Sequence, residues 1–238
     1  MKIFSKRWFT YRKLVLSEKY SEVANERIYG VDFESFDLFN NIDANFIFIH
    51  IPKVAGLSVI NALTGKNESH HATALDYKKQ KPAEFDRCYK FSMVRNPSER
   101  CFSAYNYLSS GGRLNVYDCF WREEYIKRYK SFERFVMEGG LEKAIKNNAE
   151  HFIPQWKYLY EEDKCIVDYV GRLEHIEEFV RIVSSKIEQE LCSEKINTGK
   201  RFEKSMPSEV EQKIQDLYLQ DYLLFGYGLK ITKGRSQL

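Results

Sequence analysis

The chain has 238 residues, 43% of them hydrophobic and 15% aromatic, with 37 Lys and Arg set against 34 Asp and Glu. This length suits one α/β domain with a sizeable core, and a formal net charge of +3 without a concentrated basic stripe argues against nucleic acid as the partner. The 5 cysteines are scattered and include no C-x-x-C pair, which argues against a disulfide framework and a zinc site and points to a reducing, cytoplasmic setting.

The chain opens with MKIFSKRWFTYRKLVL, where Lys6, Arg7, Arg12 and Lys13 are interleaved with Trp8, Phe9 and Leu14. No apolar core here is long enough for a signal peptide, and no later run approaches transmembrane length. Residues 1–44 read as an N-terminal extension packed on the domain as a solvated helix, although such a segment could also make peripheral contact with an acidic membrane surface. Next comes NFIFIHIPKVAGLS (Asn45 to Ser58), a β-rich run apolar on nearly both sides and stopped by Pro52. Lys53, Ala55, Gly56 and Ser58 follow, and Val59, Ile60 and Leu63 mark a helix that lasts until Gly65. A strand, a small-residue loop with one lysine and a helix start aim backbone N–H groups at an anion; taken alone, the stretch is equally an ordinary βα connection.

Asn67 to Lys90 reads as a polar loop with a short helix around Ala74 to Lys79. A second apolar strand then runs into Arg95, Asn96 and Pro97, and into a helix carrying Arg100 and Ser103 with Cys101, Ala104, Tyr105 and Leu108 on its apolar face. Asn115 to Glu162 is mostly helical and mixes aromatic with basic residues, as a sugar-binding wall or a solvated helical layer would. Cys165 to Val170 is expected as a third strand, followed by an amphipathic helix with Ile176, Phe179, Val180, Val183 and Ile187 on one face. INTGKRFEKSM (Ile196 to Met206) is a basic loop, and a last helix from near Pro207 spaces Val210, Ile214, Leu217 and Leu224 along one face.

HIPKVAGLS and VRNPSERCFSAY together resemble the two cofactor motifs of sulfotransferases that use 3′-phosphoadenosine 5′-phosphosulfate (PAPS). The likeness is closest to the carbohydrate, heparan- and chondroitin-type enzymes, with motifs of roughly PKTxGTS and RxPxxRxxSxY. It continues more weakly through HATALDY, HFIPQWKYL, DYVGRLEHIEEF and DYLLFGY. Val54 and Leu57 stand where that family usually has threonine. The resemblance implies a P-loop NTPase-like, three-layer αβα fold with a central, mainly parallel sheet, and a soluble, bacterial-type member of the family. It implies PAPS as donor and a saccharide or glycolipid as acceptor. Lys53, Ala55, Gly56, Leu57 and Ser58 would hold the 5′-phosphosulfate, Arg95 and Ser103 the 3′-phosphate, and Thr198, Lys200 and Arg201 the nucleotide from a late loop, unless that loop is only a charged surface.

Sulfuryl transfer requires neutralisation of the leaving oxygen, for which Lys53 is the candidate, and a base for the acceptor hydroxyl. His71 lies in the interval where related enzymes place their catalytic histidine, and His151 is the second candidate. His50 reads as a core histidine, and His70 and His175 as solvated or structural. No cluster of His, Cys or carboxylates reads as a metal site. A P-loop kinase or NTPase is the runner-up, but the full G-x-x-x-x-G-K-[ST] pattern is absent. A non-catalytic polyanion binder would explain the basic stretches and leave the paired motifs unexplained.

Overall fold

Residues 6–29, 37–39, 45–66, 70–192 and 206–229 are described by a computed structural model. The chain divides into two units, one formed by Met1–Asp32 and Cys101–Phe152, the other by Phe33–Arg100 and Ile153–Leu238. In chain order, α1 (Lys6–Val15) and α2 (Glu18–Tyr29) precede β1 (Phe46–Ile49), α3 (Gly56–Thr64), α4 (Ala74–Gln80), α5 (Pro82–Arg87) and β2 (Tyr89–Val94). Then come α6 (Pro97–Ser109), α7 (Val116–Trp121), a π-helical turn (Arg122–Ile126), α8 (Phe132–Met137), α9 (Gly140–Lys146) and α10 (Trp156–Leu159). The short β3 (Tyr160–Glu161) and β4 (Lys164–Cys165) lead to β5 (Tyr169–Arg172), α11 (Ile176–Ile187), α12 (Ser208–Leu217) and α13 (Leu219–Leu224). The fold is mixed α/β.

The second unit is built on a parallel three-stranded sheet in the order β1-β2-β5. Ile47, Ile49, Phe91, Met93 and Val94 are buried, and α3 and α11 contribute Val59, Leu63, Phe179 and Val183 to the same core. Polar contacts fix the register at both ends of β2. Near its start, Lys90 Nζ lies 3.0 Å from Asp168 Oδ2 and donates to the Cys88 carbonyl at 2.9 Å, while the Asp168 N–H donates to the Lys90 carbonyl. Further along, the buried Ser92 hydroxyl donates to the Ile49 carbonyl at 2.7 Å, tying β2 to the end of β1.

The first unit is helical, with a core of packed rings. Phe135 lies at its centre, with ring centroids 5.4 Å from Tyr105, 5.5 Å from Tyr129 and 5.2 Å from Phe152. The helix α6 starts in the second unit and ends in this one. Its positions Cys101, Ala104, Tyr105 and Leu108 are buried, as their spacing predicts.

Three sequence expectations need correction. Residues Cys165 to Val170 do not form the third strand: Cys165 ends a small antiparallel hairpin with β3, and the parallel strand is shifted to Tyr169–Arg172. The Lys90–Asp168 pairing sets that start, a long-range contact that an apolar run does not reveal. Pro82 begins a helix instead of marking a loop, since at the first helical position its missing N–H costs nothing. The final helix breaks at Tyr218, so Leu224 is 46% exposed and the buried positions continue as Tyr218, Asp221, Tyr222 and Phe225.

That break places a carboxylate in the interior. Asp221 is fully buried and accepts the Gln155 N–H at 2.8 Å and the Trp156 N–H at 2.9 Å, one on each oxygen. Burial pushes its pKa up, while the charge of Arg100 and these N–H donors pull it back. Arg100 is itself fully buried, donates to the Ile153 carbonyl at 2.7 Å and lies over the Tyr218 ring. Asp221→Asn sets an amide NH2 against a backbone N–H and removes the counter-charge of Arg100. The expected loss of unfolding free energy in urea titration is about 3–5 kcal/mol; a loss below about 1 kcal/mol, an ordinary neutral hydrogen bond, would show that the charge is not needed there.

Candidate functional site

The turn after β1 is strained in a useful way. Lys53 and Ala55 both take left-handed backbone conformations, with φ of 73° and 63°, although neither is glycine. Such residues cost about 1–3 kcal/mol each and are held by their surroundings. Here Val54, between them, is fully buried in the core, which fixes the turn from beneath. The position at which related enzymes usually have threonine is thus occupied by a core side chain.

Ala55 is the N-cap of α3 and makes no side-chain cap hydrogen bond. The Ser58 and Val59 N–H groups already donate to the Ala55 carbonyl at 3.0 and 3.2 Å. The N–H groups of Gly56 and Leu57, at the helix start, are the ones that a bound anion can take. Lys53, Leu57 and Ser58 are half-buried around them. Gly56 is buried against His50: a Cβ at this position would overlap the imidazole, 1.8 Å from its Cδ2 atom. Glycine is needed here for space and not for its backbone angles.

The turn after β2 is organised differently. Asn96 caps α6, its side-chain oxygen accepting the Ser98 and Glu99 N–H groups at 3.0 and 3.2 Å. Those donors are occupied, so the cation at this turn is a side chain. Arg95 has a side chain only 6% exposed, with Nη2 3.0 Å from Glu99 Oε2. Its backbone is clamped by Gln155, which donates to the Arg95 carbonyl and accepts the Arg95 N–H, both at 2.9 Å. Glu174 accepts the Asn96 N–H at 2.7 Å, and the hydroxyls of Ser98 and Tyr222 are 2.7 Å apart. Ser103 lies further along α6, half-buried, in the part of the helix assigned to the first unit.

His71 is brought to the first of these turns. Its ring meets that of His50 edge to face, with centroids 4.7 Å apart. The residues around it are anchored. His70 Nε2 lies 3.4 Å from the Tyr77 hydroxyl, Ala72 is buried, and Thr73 and Asp76 form a reciprocal capping box at the start of α4. Burial, with the neighbouring His71, pushes His70 down to about 4, so it is neutral near pH 7 and structural. His175 is an exposed side chain beside Glu178.

His151 belongs to the first unit and is buried there, with Nε2 3.8 Å from Asp118 Oδ1. Asp118 also accepts the Tyr107 hydroxyl at 2.7 Å and the Arg113 N–H at 2.8 Å. Burial raises the carboxyl pKa, but the His151, Tyr107 and Arg113 interactions outweigh it and hold Asp118 below its ordinary value. Thr198, Lys200 and Arg201 lie outside the described residues.

The sequence reading missed the supports of the Arg95 turn, namely Gln155, Glu174, Asp221 and Tyr222. The available signal was a polar residue within each apolar segment, Gln155 in HFIPQWKYL and Asp221 in DYLLFGY. Among the described residues, no group of three or more His, Cys, Asp or Glu could hold a metal ion, and no helix is long and apolar enough to cross a membrane.

Comparison with curated proteins and with solved structures finds no match. A model of the sulfotransferase family matches residues 36–228, a span that includes both strand-to-helix turns, His71 before α4, and the Gln155 and Asp221 supports. The chain therefore belongs to the sulfotransferase family, whose members transfer a sulfuryl group from a sulfonate donor to an acceptor.

Proposed function

We propose that the chain moves the sulfuryl group of PAPS to a hydroxyl of a saccharide or glycolipid. The observation that carries this reading is a pair of cationic turns at the carboxyl ends of adjacent parallel strands. After β1 there is a helix start open to an anion beside Lys53; after β2 there is the buried Arg95. An adenosine bisphosphate needs two separate phosphate sites. The family match runs through residues of both units and supports reading them as one sulfotransferase domain; the parallel sheet flanked by helices suits a P-loop-like αβα core, and the scattered cysteines suit the cytoplasm.

In this reading the amides of Ala55, Gly56 and Leu57, with the Ser58 hydroxyl, hold the 5′-phosphate. Arg95 and Ser103 hold the 3′-phosphate, and Thr198, Lys200 and Arg201 contact the nucleotide. The acceptor oxygen forms a bond to sulfur as the bond from sulfur to the phosphate oxygen breaks, in line. His71 takes the hydroxyl proton, and Lys53 neutralises charge on the leaving oxygen. His151, the alternative base, is held by Asp118 in the first unit, whereas His71 stands beside the loop through His50.

The direct test is transfer of labelled sulfate from PAPS to a panel of glycans, with 3′,5′-adenosine bisphosphate binding followed by calorimetry in EDTA. Metal-independent bisphosphate binding and a labelled saccharide are the expected outcome; equal competition by ATP would favour a kinase. His71→Ala is expected to lower kcat by about 10²- to 10⁴-fold with bisphosphate affinity retained. Near-normal turnover in that variant, together with a folded but inactive His151→Ala, would move the base to His151.

A second expectation concerns Glu99. A 3′-phosphate at Arg95 meets the carboxylate already paired with that guanidinium. Removing its charge should favour the phosphate by about 3- to 10-fold at low salt. Glu99→Gln is thus expected to tighten 3′,5′-adenosine bisphosphate but not adenosine 5′-monophosphate. Equal tightening of both would place the effect in the general field of the protein and not at the 3′-phosphate.

A further inference from the structure

His50 ends the first strand run and is not used by the reaction scheme above. It is 6% exposed, its ring lies in a stacked orientation against Phe48, and the carbonyl before it, that of Ile49, is held by the Ser92 hydroxyl. Two features meet on this imidazole. Gly56, the first residue of α3, approaches so closely that a Cβ would overlap the ring, and His71 packs edge to face at 4.7 Å. The His50 ring thus occupies the space beside Gly56, the first residue of α3, on one side and meets the candidate base on the other.

We propose that His50 is a positioning residue that sets the distance between the anion-binding turn and His71. It acts in two ways. By filling the space beside Gly56, it fixes where the first amides of α3 stand relative to the strand end. By bearing on the edge of His71, it limits where that imidazole can swing. The reaction needs both, because the sulfur is held from the α3 side while the proton leaves towards His71. A displacement of about 1 Å between them can cost on the order of 100-fold in rate. The inference rests on the assignment of His71 as base only in its second half; the contact with Gly56 is independent of that assignment.

The test is a pair of double-mutant cycles, with thermal unfolding as a check that each variant folds. In the first, calorimetry measures 3′,5′-adenosine bisphosphate binding. Gly56→Ala is expected to weaken binding by about 10-fold or more in the wild-type background, since the new methyl group collides with the imidazole. In the His50→Ala background, the same substitution is expected to cost about 3-fold or less, because the methyl group then has room. An undiminished penalty without the imidazole overturns the proposed contact.

In the second cycle, His50→Ala is expected to lower kcat by about 10- to 100-fold with little change in acceptor KM. In the His71→Ala background it is expected to add almost nothing, because its effect passes through His71. Multiplying penalties would show that His50 supports the fold at large. If His71→Ala alone turns over normally, the base assignment fails and so does this half of the proposal, while the bisphosphate cycle still decides the Gly56 half. His50→Asn, which keeps a polar side chain of smaller volume, serves both cycles if the alanine variant does not fold.

Discussion

A single buried carboxylate, Asp221, organises the part of the second unit that carries the Arg95 turn. Asp221 holds the two N–H groups that open α10, which fixes Gln155, and the Gln155 amide in turn clamps both backbone polar groups of Arg95. The chain of contacts runs from the last helix to the end of the central strand without a water-exposed link. Its thermodynamic cost is plain. Burial raises the pKa of Asp221, so the stability tied to its protonation is fully present below the unfolded-state pKa and is lost as pH rises through the folded value. Arg100 and two backbone donors offset part of that desolvation. An apolar pair of similar size would be as stable or more so. What it could not do is present the Arg95 turn in one conformation.

The two turns are built by different means, and the difference follows from their helix starts. At α3 the chain leaves the first amides without a side-chain cap and accepts strained, left-handed backbone at Lys53 and Ala55. The strain is sustained because Val54 is anchored in the core. At α6 the Ser98 and Glu99 amides are already satisfied by Asn96, so the group this turn has left to offer an anion is the guanidinium of Arg95. That guanidinium is kept in place by Glu99, a partner one helical turn away. The first turn is preorganised by its backbone and the second by an ion pair that can be exchanged.

Much of this arrangement was legible in the sequence, for a physical reason. The strands β1 and β2 are apolar runs stopped by Pro52 and by Asn96-Pro97, and α3 and α6 end near Gly65 and Gly111; such signals are local. What was illegible was set by partners far away in the chain. The start of β5 depends on Asp168 meeting Lys90, and the buried face of the last helices depends on Tyr218 breaking the helical repeat. Gln155 and Asp221 stood in plain view as polar residues in apolar segments, but only the fold shows that they bond to each other and to the Arg95 turn. Of the candidate site residues, Lys53, Gly56, Ser58, Arg95 and His71 are named in the sequence from motif and interval, whereas the steric reason for Gly56, a neighbouring imidazole, is visible only in the fold.

The same division explains how the chain can aim a histidine. His71 carries no helical hydrogen-bond pattern of its own, yet the residues flanking it are fixed independently. His70 is directed inward to Tyr77, Ala72 is buried, and the capping box of Thr73 and Asp76 starts α4 immediately after. A residue between three anchored neighbours has part of its conformational freedom already spent during folding. The two adjacent histidines thus differ in surroundings: His70 turns inward to the Tyr77 hydroxyl, where burial lowers its pKa, while His71 stands half-buried against His50.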